Sequence, residues 1–299
     1  MTRASCILFF LVCSVRSRDF ACVCRAGGHI RAMPSVEASA RMRGGSSAQA
    51  SRAIAMLWLR GGRQAEDNFA EGGSVGVDEI IKEVAAMRER PVADRMRRLW
   101  EFKDKAMEMR TEVRKRADAK VLLRAEEWLK DPSVLVRHEV CYMVGQTCGE
   151  EAIPLLEKVL GDAGEDAMVR HEAAEAIGAV GSKRGMTALI MHSSDVRPEV
   201  AETCQLACSR LEWLQSTGGS KVGGKGGYSS IDPAPSTADK EGHGIEAMGA
   251  TLCDAGRSMF DRYRALFGLR DVGTDEAVAH LQRGLLEGSS ALLRHEVTS

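Results

Sequence analysis

The 299-residue sequence is poor in net charge, in aromatic residues and in paired cysteines. A formal charge of −1 leaves no electrostatic case for a nucleic-acid partner. Ile7 to Cys13 (ILFFLVC) is an apolar run of seven residues, far too short to span a bilayer, and no membrane partner is expected. Aromatic residues make up 5%, while alanine is frequent, which suits closely packed helices better than sheets. The nine cysteines are odd in number, and Cys141, Cys148, Cys204, Cys208 and Cys253 lack paired spacings. A disulfide framework is thereby excluded, and reduced cysteines in a cytoplasmic protein are expected. A hydrophobic content of 44% with 28% charged residues is that of a soluble globular protein, with length for one large domain or two smaller ones.

Residues 1–74 differ from the rest. The run after Arg3 has the size of a signal-peptide core, residues 14–50 are rich in Arg, Ser, Ala and Gly like a transit peptide, and Met33, Met42 and Met56 are later candidate starts. Secretory leader, organelle leader and a disordered or spurious low-complexity tail all fit, and the segment is set aside from fold reasoning.

What the chain does have is an internal repeat. Asp131 to Gly145 (DPSVLVRHEVCYMVG) and Asp166 to Gly181 (DAMVRHEAAEAIGAVG) are near copies, and Ser289 to Glu296 (SSALLRHE) begins a third. Each holds Arg-His-Glu: Arg137-His138-Glu139, Arg170-His171-Glu172 and Arg294-His295-Glu296. His138 and His171 are 33 residues apart, the period of stacked two-helix repeats in an α-solenoid. Helical periodicity starts near Val77, with Ile80, Ile81, Val84 and Met87 on one face. Pro91 ends that helix; others are expected at Arg95–Met109, Val121–Leu129, Asp131 to about Gln146, Ala152–Leu160, Asp166 to the Gly178/Gly181 pair, Lys183–Met191 and Val200–Leu214. Asp131 is expected to cap its helix with Pro132 at the first position, and Asp166 to cap the next. Residues 216–242 read as a flexible Gly/Ser/Pro-rich linker. Beyond it, Asp261–Asp271 matches Asp94–Asp104 in character, so the chain holds two related halves, 75–215 and 243–299. About ten extra residues in the first half fall around Lys105–Lys120. The expected fold class is all-α, an α-solenoid in two halves whose second half is incomplete.

Repeats of this kind use Val-Arg at the start of the second helix to bond a neighbouring repeat, and Arg137 and Arg170 take that role. Stacking does not require His-Glu to follow. Imidazole and carboxylate together suit first-row metals, and two histidines with one carboxylate suit non-haem Fe(II), although zinc would accept the same ligands. Equivalent helices stack side by side, so His138 and His171 are expected to approach, with Glu172 or Glu139 beside them. Gly145 and Gly178 each follow a histidine by seven residues and leave room on its face for close packing or a ligand. A helix pair from each half would give facing ligand sets and a two-metal centre. The surplus carboxylates suggest a cationic substrate. His29, His192, His243 and His280 lie outside the register and are given no role.

VRHEVCYMVGQ (136–146), MVRHEAAEAIGAVG (168–181), VAETCQLACSRLEWLQ (200–215), SSIDPAPS (229–236), FDRYRALFGLRDVG (260–273) and SALLRHE (290–296) resemble segments of the deoxyhypusine hydroxylase family. The resemblance covers most of residues 90–296. It implies a HEAT-like helical-repeat dyad binding two Fe(2+), a monooxygenase that uses dioxygen to hydroxylate deoxyhypusine on the precursor of eukaryotic translation initiation factor 5A. By motif match His138, Glu139, His171 and Glu172 carry over as the first-half metal and substrate set, and His295 with Glu296 as the third motif. The family has a fourth His-Glu motif about one repeat further on, which this sequence does not reach; an impaired second metal site is the expectation. A non-catalytic repeat scaffold and a bilin lyase are the alternatives; absence of bound metal would favour the first, thioether attachment of a tetrapyrrole the second.

Overall fold

The computed structural model describes residues 77–112, 119–218, 230–237, 244–288 and 290–298. The 1–74 leader, with its three readings, lies outside the described residues, as do His29 and His243. Those up to Val297 belong to one compact unit, Asp67–Val297. The chain is all-helical among the described residues, and the helices come in pairs: α1 (Val77–Met87) and α2 (Val92–Glu112), α3 (Ala119–Trp128) and α4 (Val134–Thr147), α5 (Ile153–Gly161) and α6 (Ala167–Val180), α7 (Met186–His192) and α8 (Pro198–Ser216), α9 (Ile245–Cys253) and α10 (Met259–Val272), α11 (Asp275–Glu287) and α12 (Ala291–Thr298). Even-numbered helices form one layer, in which α2 packs on α4, α4 on α6, α6 on α8 and α8 on α10, while odd-numbered helices such as α1 and α3 pack in the other. None of the described helices is long and apolar enough to cross a membrane.

The sequence explains the layering. Val169, Ala173, Ile177 and Val180 recur at helical spacing along α6 and are all buried. Asp166 caps α6 by accepting the Met168 amide, and Gly181 ends it at φ 74°, a left-handed conformation that suits glycine. Gly178, also expected at that end, lies inside the helix. A Cβ there would stand 3.0 Å from Ala207 Cβ, and one on Gly145 would stand 2.7 Å from Ala176 Cα. The paired glycines therefore serve close helix approach, α4 on α6 and α6 on α8. This keeps neighbouring inner helices near enough for short side chains to meet.

Asp131 does not cap α4. The cap position is Ser133, and α4 begins at Val134. Asp131 instead accepts the Ser133 amide at 2.8 Å and pairs with Arg95 of α2, both groups buried. The guanidinium cannot be left uncompensated in the interior, and its demand on the carboxylate displaces the cap.

Part of the predicted linker is packed. Residues 230–237 form an ordered strap with Pro233, Ala234 and Pro235 buried. Gln146, at the end of α4, donates from its amide to the Ile231 carbonyl (3.1 Å) and accepts from the Ile231 N–H (2.7 Å). Asp232 receives a two-pronged contact from Arg270 of α10 at 3.0 and 2.8 Å. The strap is thus held from both halves, its Ile231 backbone by Gln146 and its Asp232 side chain by Arg270. The remaining linker positions between 219 and 243 lie outside the described residues.

Gly145→Ala is expected to destabilise the fold. Alanine favours a helix over glycine by about 1 kcal/mol, but the added methyl meets the backbone of α6, and overpacking against backbone costs roughly 1–3 kcal/mol. Urea unfolding should show a net loss of up to about 2 kcal/mol at an unchanged slope; a variant more stable than the parent would rule out the close approach.

Candidate metal centre

The inner helices share one register. The fourth residue is Arg95 in α2, Arg137 in α4, Arg170 in α6, Arg262 in α10 and Arg294 in α12; only α8 departs, with Ala201. Three of these arginines bond carbonyls at the ends of the outer helices. Arg170 Nε donates to Leu160 at 2.9 Å, Arg262 Nε to Leu252 at 3.0 Å and Arg294 to Gly288, satisfying groups a helix C-terminus leaves without partners. Three of the five also reach the next repeat, Arg95 through Asp131. Arg137 forks onto Glu165 (2.9 and 2.7 Å) and Arg170 onto Asp195 (3.2 and 2.6 Å), the stacking role expected of them.

The fifth residue projects next to that ladder. It is Met96, His138, His171, Glu202, Tyr263 and His295 from α2 to α12. His138, His171 and His295 converge: ring centroids are 5.4 Å apart for the first pair, 6.1 Å for His138 and His295, and 5.7 Å for His171 and His295. One nitrogen from each lies within 4.8 Å of the others. A second set, His171, Glu172 and Glu175, meets the same limit and shares His171. Glu172 Oε2 is 3.2 Å from His138 Nε2, within reach of charge attraction but not aligned as a hydrogen bond. Glu139 Oε1 stands 3.3 Å from His138 Nδ1 on the other edge of the ring.

Helix α12 is brought to this cluster by polar contacts with the rest of the chain. Ser290, which caps α12 by accepting the Leu293 amide, donates to Glu202 Oε2 at 2.5 Å. Fully buried Tyr263 donates its hydroxyl to the Leu292 carbonyl at 3.4 Å. Two of the three residues that replace histidine in the register, Glu202 and Tyr263, thus hold the helix that carries the third histidine.

Burial and neighbouring charge set protonation. Burial works against the charge on His138, but Glu172 and Glu139 outweigh it and push its pKa up to about 10. Burial, together with His138, holds His295 down to about 4 and keeps His171 well below the usual imidazole range. Burial and the Glu172 charge push Glu296 up to about 8 and Glu175 well above the ordinary carboxylate range. The His171 Nδ1 is buried without a hydrogen-bond partner. An unpartnered buried nitrogen beside acids that resist ionisation makes a donor set whose chemistry, imidazole with carboxylate, would suit a first-row metal.

Comparison with known proteins agrees with the repeat geometry. A model of HEAT repeats matches residues 122–208, and one of the PBS lyase HEAT-like repeat matches 261–287. The deoxyhypusine hydroxylase of Drosophila melanogaster is 40% identical over 219 residues, 73% of this chain and 67% of that protein. The chain belongs to the deoxyhypusine hydroxylase family. The bovine and human family members are each 47% identical over 167 residues, 56% of this chain and 54% and 53% of theirs. The chain thus spans about half the length of these mammalian relatives. The structure of human deoxyhypusine hydroxylase in complex with glycerol has a TM-score of 0.62 and 38% identity, over 75% of this chain and 74% of that one.

Of the six residues picked from the family motif, His138, His171, Glu172 and His295 fall in or against the two converging sets, whereas Glu139 and Glu296 fall in neither. Glu139 borders the cluster through His138, and Glu296 feels Asp232 of the strap and Arg270. Glu175 is the group that reading the motif alone missed. It lies four residues after His171 on the same helix face, which was the signal available for it. His192 sits apart, 3.5 Å from Asp195, and His280 packs against Gly249, so both remain outside the cluster.

Metal binding is expected to release a proton. His138 is protonated at pH 7 and must be neutral to ligate, whereas His171 and His295 already are. Affinity for Co(II), used as a probe, should therefore rise with pH through neutrality, by about tenfold per unit where one proton leaves. Calorimetry in buffers of different ionisation enthalpy checks the release; a pH-independent affinity would contradict the protonation assigned to His138.

Proposed function

We propose that this chain carries the site of an iron-dependent deoxyhypusine monooxygenase, acting with dioxygen on deoxyhypusine in the precursor of eukaryotic translation initiation factor 5A. The observation that carries the reading is the meeting of three histidines from both halves with Glu172 and Glu175 in a cluster centred on buried His171 and Glu172. Family membership supplies the substrate class.

In this reading His138, His171 and Glu172 hold one Fe(2+) as two imidazoles and a carboxylate, with His295, and Glu296 behind it, on the side of a second. Bound Fe(2+) would supply the activation of dioxygen. The residues themselves do the rest. Glu172 stands 3.2 Å from His138 and close to His171, where its charge favours a cation beside both rings. The packed alanines of α6, with Ala173 and Ala174 fully buried, keep water from the far side. Glu175 and Glu296, held protonated by burial and by Glu172, can give up their protons when positive charge arrives beside them. An aminoalkyl ammonium brings such charge, so a cationic side chain is electrostatically matched to the cluster. A protein-binding scaffold without chemistry would need none of this buried acid and imidazole.

His171→Ala is expected to lower iron content by half or more and abolish hydroxylation of the deoxyhypusine-bearing precursor, whereas His192→Ala should leave both unchanged. Iron by elemental analysis and product by mass spectrometry are the measurements. Full iron and full turnover in the His171 variant would refute the ligand assignment. A wild-type chain that binds no iron would favour the scaffold.

A further inference from the structure

Beside the histidine cluster the inner face carries a cation–aromatic contact for which the mechanism has no use. Lys103 Nζ of α2 lies 4.5 Å from the ring centroid of Trp100 and 5.4 Å from that of Tyr142. The two rings are 5.9 Å apart and inclined at 48°. Tyr142 is on α4, four residues beyond His138 and three beyond Glu139, so one helix face carries all three. Trp100, Lys103, Glu139 and Tyr142 are all partly exposed, unlike His171 and Glu172.

The second half repeats the arrangement with one difference. Phe267 and Arg270 occupy the ninth and twelfth positions of α10, as Trp100 and Lys103 do in α2, and Arg270 lies 4.7 Å over the Phe267 ring. Arg270 is fastened by both oxygens of Asp232 on the strap and by Asp271 at 2.9 Å. Lys103 has no ion pair among the described residues. Burial holds its ammonium below the usual lysine range, against the pull of Asp104 and Glu139. One cation is bolted down by the strap that covers that side. The other rests on two rings, with a carboxylate nearby and no fixed partner.

We propose that Trp100 and Tyr142, with Glu139 beside them, form the subsite that receives the terminal ammonium of the substrate's aminoalkyl chain, and that Lys103 is its displaceable resident. This rests on the proposed function for the identity of the substrate. Aromatic faces attract any ammonium, and a ring pair that already holds one at 4.5 and 5.4 Å has room for a charge of that size. Lys103 competes with the substrate, so binding requires its side chain to swing away.

The test uses the full chain and two fluorescent peptides, one bearing deoxyhypusine and one with lysine in its place. Lys103→Met removes the competitor and should tighten binding of the deoxyhypusine peptide by about fivefold. Trp100→Leu should weaken it by about fivefold or more, and Trp100→Phe, which keeps a ring face, should restore most of the loss. Iron content and helical circular dichroism should stay at the wild-type level in all three. If the wild type prefers the deoxyhypusine peptide but neither Lys103→Met nor Trp100→Leu changes its affinity, the subsite is wrong and the proposed function stands. If the wild type does not distinguish the peptides, the proposed function fails and the subsite with it. Should Trp100→Leu fail to fold, Lys103→Met decides alone.

Discussion

The arrangement of the site depends on an arginine placed one residue before each histidine. Arg137, Arg170 and Arg294 each bond a main-chain carbonyl in the segment leading into their own helix, and the first two also fork onto an acid in the next repeat. Such contacts fix both the rotation and the height of an inner helix relative to its neighbours. With rotation fixed, the next residue in every repeat must face the same way. The histidines of α4, α6 and α12 therefore meet without any loop to position them, and rigid elements hold a site more precisely than loops do. The ladder explains why a structural motif and a chemical one are written as a single tripeptide.

Close packing supplies the second half of the constraint. At Gly145 and Gly178 the inner helices approach until a methyl group would touch the adjacent chain. Short acids and imidazoles can then bridge between helices, as Glu172 does from α6 to His138 of α4. Larger residues at the two glycines would separate the helices and leave each histidine with only its own neighbours.

Much of this was legible in the sequence because periodicity and repetition are local. The helix pairs, the Asp166 cap, the stacking arginines and the approach of His138 to His171 follow from spacing alone. What escaped depended on contacts distant in the chain. Asp131 reads as a cap until Arg95, 36 residues earlier, claims it. The 230–237 strap reads as flexible because Pro, Ser and Ala show no periodicity, yet Gln146, 85 residues away, fastens its backbone. Glu175 reads as one more acid on a helix until Glu296 arrives from the other half and its charge adds to that of Glu172 beside it.

The electrostatics of the cluster make the balance of charge the controlling quantity. Glu172, Glu175 and Glu296 crowd around one protonated histidine, and burial removes the water that would otherwise screen them. Without a further cation the cluster can only hold protons, which is the state that the raised pKa values of Glu175, Glu296 and His138 describe. A bound divalent ion would replace those protons and relieve the repulsion, and in the proposed subsite a substrate ammonium would do the same at the rim, near Glu139. Each positive charge bound lowers the pKa of the neighbouring acids, releasing protons from Glu175 and Glu296 and freeing negative charge for the next cation. The carboxylates in excess of a metal's needs are what allow both to be held at once. Glu172→Gln takes a carboxylate out of the cluster and should therefore lower its affinity for cations in general, Co(II) and a substrate ammonium alike.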